Sequence, residues 1–256
     1  MRMPLKNPLH RRPRRKPARP LTLRRVCTKV LVVVAVAHLS FMALTTATLI
    51  VYKFANPPVT SVMLYRKLFY GWKTRKVRYL PLAKIPKSVR NMVLRVEDGS
   101  FYSHHGIVPA AIKNAWQINR EIGRPMYGGS TITMQTARTI FLVPEKSYLR
   151  KYLEVIVALE MEVVLGKKRI FELYMNYAEW GKGVFGVEAA SVYHYGTSVY
   201  NLSTDQRIRL VTLLSSPIKY GPDSINRSGV LRSRYAYLTE RFNAEPALAP
   251  AQAPIP

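Results

Sequence analysis

Residues 149–165 have the sequence LRKYLEVIVALEMEVVL, in which apolar side chains recur at spacings of three and four. This spacing places them along one side of an α-helix, because a helix completes a turn in about 3.6 residues. Lys168–Tyr177 shows the same periodicity, and Thr204 precedes DQRIRLVTLL as a cap before a further amphipathic run. Alternating strand patterns are scarce between Pro86 and Asn243. The sequence therefore predicts a mainly α fold.

Acidic residues are absent from the chain before Glu97. The 96 preceding residues carry 22 Lys or Arg and no Asp or Glu. Over all 256 residues, 40 Lys and Arg stand against 14 Asp and Glu, which gives a net charge of +26. Such a surface should bind polyanions: nucleic acid, anionic lipid headgroups or a phosphate-bearing substrate. The single cysteine, Cys27, excludes an intrachain disulfide and a cysteine-rich metal site.

Composition divides the chain into five parts. Residues 1–29 hold eleven Lys and Arg and five Pro, which predicts a disordered basic tail. Residues 30–52 contain no Asp, Glu, Lys or Arg, and as a helix of roughly 34 Å they would span a bilayer. Residues 53–85 form a Pro-punctuated connector, and residues 86–243 form the helical domain. Residues 244–256, mostly Ala and Pro, are predicted to be disordered.

The charges around the apolar run predict its orientation. A dense basic cluster before a spanning helix favours a cytoplasmic N-terminus, and a long downstream domain crosses the membrane largely regardless of charge. A cleaved signal peptide is the alternative, but its apolar run is normally shorter, about 7–15 residues. The basic tail fits nucleic-acid binding or a topology signal lying on anionic lipid, and the adjoining span favours the second. We therefore expect a single-pass membrane protein with a cytoplasmic N-terminus and its large C-terminal domain outside.

A first cluster of reactive side chains lies in residues 97–106, EDGSFYSHHG. A carboxylate that takes a proton from a hydroxyl needs a fixed orientation and a partly water-free pocket. Phe101 would supply apolar cover, and His104 or Asp98 could position Glu97. The alternative is an exposed Glu-Asp pair in a loop.

A second cluster lies in residues 128–138, GGSTITMQTAR. Ser130 and Thr131 place hydroxyls beside main-chain N–H groups, and a Gly-rich turn that enters a helix is a natural anion site. The spacing does not fit a P-loop, which needs Lys-Ser/Thr after the second glycine. A simple helix-capping turn is the alternative.

A third cluster combines Arg150 and Glu154, which lie one turn apart on the same side of the predicted helix. A surface ion pair of this kind usually contributes under about 1 kcal/mol. The apolar residues 155–157 and Leu159 surround Glu154 on several sides, which favours a position in a cleft.

Taken in order, these clusters and two later stretches resemble the five motifs of the peptidoglycan glycosyltransferases, glycosyltransferase family 51. The third cluster is of the RKxxE type. Residues 167–176, KKRIFELYMN, resemble KxxILxxYLN, and residues 183–196, GVFGVEAASVYHYG, resemble GxxGxxxAxxxYFG. The resemblance covers residues 80–243 and implies a lysozyme-like glycosyltransferase domain behind one N-terminal transmembrane helix. About 13 residues follow it, so the chain looks like the monofunctional biosynthetic form.

The resemblance implies polymerisation of lipid II, a disaccharide-pentapeptide on undecaprenyl diphosphate. Glu97 would be the general base for the 4-hydroxyl of the acceptor N-acetylglucosamine, which attacks C1 of the N-acetylmuramic acid that ends the growing chain. Glu154 would orient or stabilise the diphosphate, directly or through a divalent cation, Mg²⁺ or Mn²⁺, and no organic cofactor is implied. The residues implied around the diphosphate are Ser130, Thr131, Gln135, Arg138, Lys146, Arg150 and Lys151. Those implied to support Glu97 are Asp98, Phe101 and His104.

The implied partners are lipid II, the growing glycan strand and membrane lipid, and the resemblance allows cell-wall synthesis or division proteins. The first rival is a lysozyme-like muramidase or lytic transglycosylase, which also uses glutamate but needs no diphosphate clamp. The second is a membrane-tethered nucleic-acid-binding protein, suggested by the charge alone. The chain has no RRM, HTH or KH pattern, so no nucleic-acid partner is expected.

Overall fold

The computed structural model describes residues 23–123 and 128–243. Most of the predicted basic tail and the whole Ala/Pro tail lie outside the described residues. Residues 23–29, predicted to be disordered, are instead helical and open the first helix, α1, Leu23–Phe54. This is a correction, and its physical reason is that a basic segment continuous with an apolar run can simply extend that run's helix.

Helix α1 contains all of the predicted span and extends beyond both of its ends. The segment Arg24–Phe54 is long and apolar enough to cross a membrane. The chain divides into two compact units after Phe41. In the first unit, the large apolar side chains between Val30 and Leu39 are exposed, as lipid contact requires.

The second unit begins with the last turns of α1. Thr45 and Leu49 are buried there, and the Thr45 hydroxyl donates a 2.6 Å hydrogen bond to the Glu160 carboxylate. These turns therefore pack as part of the second unit's own core.

The rest of the second unit is mainly α, as predicted. Its helices are α2 Ser61–Tyr70, α3 Lys87–Glu97, α4 Pro109–Glu121, α5 Ile132–Phe141, α6 Tyr148–Val164, α7 Gly166–Tyr177, α8 Val187–Tyr195, α9 Thr204–Thr212 and α10 Gly229–Asn243. The described residues contain one small antiparallel sheet, formed by β1 Glu179–Gly181 and β2 Val184–Phe185.

Helix α5 lies at the centre of this unit, against α6 and α7. Seven of its ten residues are buried, although its sequence, ITMQTARTIF, is rich in threonine. The Thr136 hydroxyl donates to the Ile132 carbonyl at 2.8 Å, and Thr139 donates to the Gln135 carbonyl at 2.9 Å. These local bonds satisfy the buried hydroxyls, so a polar helix can occupy the core.

The predicted connector is more ordered than its composition suggests. Thr60 caps α2 by accepting from the Met63 N–H at 3.3 Å. Arg169 of α7 donates to the carbonyls of Tyr52 (2.9 Å) and Ala55 (2.7 Å) at the end of α1, where the helix leaves carbonyl groups unpaired. It also donates to the Tyr79 hydroxyl at 2.8 Å, so one guanidinium joins α1, the connector and α7.

Two details correct or explain the sequence patterns. The cap of α9 is Ser203 and not Thr204: its hydroxyl accepts from the Gln206 N–H, and the Gln206 side chain accepts from the Ser203 N–H. In the fifth motif, Gly186 has φ 86° and lies directly against the Asn176 carbonyl oxygen, so a Cβ there would overlap that oxygen.

Candidate active site

Glu97 is the last residue of α3, and its side chain is 11% exposed. Its Oε2 accepts a 3.1 Å hydrogen bond from the Gln135 amide of α5. Its Oε1 is paired with the guanidinium of Arg234 on α10. Two helices far apart in sequence thus fix the carboxylate, which leaves a mostly buried acceptor of defined orientation.

Asp98 and His104 do not contact Glu97 in this network. Asp98 Oδ2 lies 2.9 Å from His104 Nε2 and accepts from the Ile132 N–H at 3.0 Å. The Gly106 N–H donates to His104 Nδ1 at 3.0 Å, so Nε2 carries the proton given to Asp98. The prediction that Asp98 or His104 orients Glu97 directly is therefore corrected. Both fasten the loop to the start of α5.

Phe101 provides the predicted apolar cover. It is buried, and its ring lies 5.7 Å from that of Phe171. The amine of Lys167 lies 4.5 Å from the Phe101 ring centroid and 2.7 Å from Glu162, which also accepts from the Thr133 hydroxyl at 2.6 Å. The first lysine of the fourth motif therefore clamps the loop of the first motif onto α5 and α6.

The second cluster caps α5 and fastens the loop of the first cluster to it. The Thr131 hydroxyl accepts from the Met134 N–H at 3.1 Å and donates to the Gly106 carbonyl at 2.6 Å, so it caps α5 and holds the loop. These bonds give Thr131 a capping role, and its part in shaping the diphosphate site stays a prediction. A Cβ on Gly129 would lie 2.6 Å from the Ala111 carbonyl oxygen, so close approach of α4 requires this glycine.

Gln135 makes a contact with Glu97 that the resemblance did not imply. It was expected near the diphosphate. Gln135 lies one turn of α5 after the cap, and its side-chain amide donates to Glu97. The Tyr174 hydroxyl donates to its carbonyl oxygen at 3.4 Å. Burial and the neighbouring Glu97 raise the pKa of Tyr174 well above its ordinary value, so the phenol stays protonated and donates.

Glu154 is fully buried and lies between two cations. The Arg150 guanidinium pairs with its Oε2, and the Lys151 amine lies 3.4 Å from its Oε1. Lys151 also donates to the Ser130 hydroxyl at 2.6 Å. The second and third clusters therefore meet at Lys151, whose side chain is 34% exposed. We call Arg138, Arg150 and Lys151 the cation cluster.

Electrostatic strain within the cation cluster appears at Lys151. Burial lowers the pKa of Lys151, Glu154 opposes that effect, and Arg138 and Arg150 add to it. An anion placed among these side chains would relieve the repulsion. Arg138 is half-buried near the end of α5, whereas Lys146 is exposed before α6. Of the predicted cations, Arg150 and Lys151 contact Glu154, and Arg138 lies close enough to lower the pKa of Lys151.

A metal ion held by Glu154 does not fit these residues, because each of its carboxylate oxygens already faces a cation. The described parts of the chain also contain no group of three or more His, Cys, Asp or Glu side chains that could hold a metal.

Arg234 is the site residue that the sequence did not indicate. It lies 137 positions after Glu97, in a helix that also contains Arg232 and Arg241. Nothing in the spacing of these arginines distinguishes the one that contacts the Glu97 carboxylate, so the sequence pattern does not identify it.

Comparison with known proteins places these features in context. The model of the transglycosylase family matches residues 65–243, more than half of the chain. A protein of Bordetella pertussis (strain Tohama I) is 37% identical over 235 residues, covering 88% of this chain and 96% of its own. Relatives from Paraburkholderia xenovorans (36%, 83% and 89%) and Caulobacter vibrioides (40%, 67% and 73%) are similar. Each of the three is named a biosynthetic peptidoglycan transglycosylase.

Proposed function

The chain belongs to the transglycosylase family, and on that premise we propose that it polymerises lipid II into β1→4 glycan strands with Glu97 as the general base. It is a peptidoglycan glycosyltransferase of cell-wall synthesis. The proposal concerns the substrate, the residues and the course of the reaction.

In the proposed step, Glu97 takes the proton of the acceptor's 4-hydroxyl as that oxygen bonds to C1 of the donor N-acetylmuramic acid. The bond from C1 to the diphosphate oxygen breaks with inversion, and undecaprenyl diphosphate leaves with the electron pair. The support is the setting of Glu97, which is mostly buried and held by hydrogen bonds on both oxygens. A general base needs this fixed orientation.

The observation that carries the proposal is the cation cluster around buried Glu154. A departing diphosphate accumulates negative charge, and preorganised cations are among the larger contributions to such a reaction. Glu154 contacts both Arg150 and Lys151. Lys151 also contacts Ser130 at the start of α5. The same helix contains Gln135, which contacts the proposed base. Glycan hydrolysis would need no such cluster.

The proposed substrate lies in a membrane, and the surface of α2 suits that location. Its exposed apolar side chains are Leu64, Leu68, Phe69 and Tyr70, with Lys67 among them. We place this surface against lipid, with the N-terminus cytoplasmic and the helical domain of residues 86–243 on the outer side of the cytoplasmic membrane. Basic and aromatic side chains favour the headgroup region.

The test uses the full-length protein in proteoliposomes with lipid II. Wild type should form glycan strands and release undecaprenyl diphosphate, whereas Glu97→Gln should bind lipid II but form no polymer. Glu145→Gln, the same change at an exposed glutamate, is the matched control and should be active. Release of soluble fragments from cell-wall sacculi without glycan synthesis would instead establish a cleaving enzyme.

A further inference from the structure

Arg234 contacts the end of α3 at two points. One terminal nitrogen pairs with Glu97 Oε1, and the other donates to the Val96 carbonyl at 3.4 Å. The Arg234 side chain is 16% exposed, so this contact is largely removed from water. A cation beside the last carbonyls of a helix also interacts favourably with the helix dipole.

The two donors to Glu97 act on different oxygens. Gln135 holds Oε2 from α5, and Arg234 holds Oε1 from α10. One hydrogen bond leaves a carboxylate free to turn about its terminal bond, whereas two donors on opposite oxygens fix its plane. A guanidinium is suited to this role because its nitrogens form a rigid planar fork.

We infer that Arg234 is a positioning residue for the reaction, acting through Glu97 and not on the substrate. This inference rests on the proposed role of Glu97 as the base. Helix α10 then does more than complete the core, since it carries the second support that aims the carboxylate at the acceptor hydroxyl.

A purely structural role for Arg234 is separable, because other contacts hold α10 in place. Leu231 and Leu238 are fully buried, and Leu231 packs with Leu213 and Ile225. The Tyr235 hydroxyl also donates to Asp205 of α9. We therefore expect α10 to remain docked when the Arg234 side chain is shortened.

The experiment measures kcat, KM and thermal unfolding for Arg234→Gln and Arg234→Lys in the full-length protein with lipid II. A 1 Å misplacement of a reacting group costs about 100-fold in rate, so Arg234→Gln should lose about 100-fold in kcat with little change in KM. Arg234→Lys keeps a cation near Oε1 and should recover part of that loss. Arg232→Gln, an exposed arginine on the same helix, should behave as wild type.

Wild-type kcat in Arg234→Gln would overturn the inference. A loss of kcat that Arg234→Lys does not relieve, accompanied by an equal fall in unfolding temperature for both variants, would also overturn it in favour of a structural role. Failure of wild type to polymerise lipid II would instead refute the proposed function. The two failures are therefore distinguishable.

Discussion

The amine of Lys151 lies 2.6 Å from the hydroxyl of Ser130, 21 residues earlier in the chain. Ser130 immediately precedes the cap of α5, and Lys151 lies in the first turn of α6. One side chain thus joins the Gly-rich turn to the helix that contains Glu154. The contact explains how two separate sequence clusters meet in the fold.

The lowered pKa of Lys151 predicts that the rate of polymerisation falls as the pH becomes alkaline. Burial lowers the pKa of Lys151, Glu154 raises it, and Arg138 and Arg150 lower it again, so that the pKa is lowered overall. The cation is lost as pH rises through this lowered pKa, so polymerisation should fall at a lower pH than an ordinary lysine would cause. Lys151→Arg, which stays charged, should extend activity to higher pH. Rates measured from pH 7 upward test this, and identical alkaline limbs would contradict it.

Glu154→Gln should be severely impaired. The change removes the negative charge that contacts both Arg150 and Lys151, so these cations would repel each other and lose their orientation. Removing one preorganised electrostatic contact typically costs about 10²–10³ in kcat. Release of undecaprenyl diphosphate measures the loss, and Glu145→Gln is the control. Wild-type turnover in Glu154→Gln would refute the proposed role of Glu154 in orienting these two cations.

Local patterns predicted much of the fold, and long-range contacts could not be predicted. The periodicity of residues 149–165 and 168–177 correctly indicated α6 and α7, because a helix face is encoded within a few turns. The Arg150–Glu154 pair followed from helix spacing. Arg234 reaches Glu97 through the packing of α10, which no local pattern specifies.

The same distinction applies to residues whose type was noticed but whose contacts were not. Gln135 was expected with the cations, yet its turn of α5 carries it to Glu97. Thr131 was expected to help shape the diphosphate site, and its hydroxyl caps α5. A residue's chemistry is visible in the sequence, but its partner depends on which side of the helix meets which neighbour.

Glu172 predicts an acid-dependent loss of stability. Burial raises its pKa, but hydrogen bonds from Tyr79, the Leu82 N–H and Arg169 together outweigh burial, so its pKa is lowered from 4.5. Its folded pKa lies below its unfolded one, so its contribution is present above about pH 4.5 and is lost as pH falls through the folded value.

Glu172→Gln should therefore be less stable than wild type at pH 7, and the difference should shrink as the pH falls below 4.5. Thermal unfolding of the two proteins across this range measures it. Glu240→Gln, an exposed glutamate of α10, is the control and should match wild type throughout. A difference that is constant with pH would show that Glu172 acts through packing alone.

Substitutions on α2 test its proposed contact with lipid. Leu68 and Phe69 are 67% and 71% exposed, so changing both to Gln should leave unfolding within about 0.5 kcal/mol per site. Lost lipid contact should lower polymerisation in vesicles of anionic lipid but not in detergent micelles, where no planar surface has to be met. Tyr200→Gln, an exposed aromatic of a 3-10 helix, is the control. Equal activity of the double variant and wild type in vesicles would show that α2 does not contact the membrane. An apolar surface immersed in lipid cannot be made polar without weakening the contact.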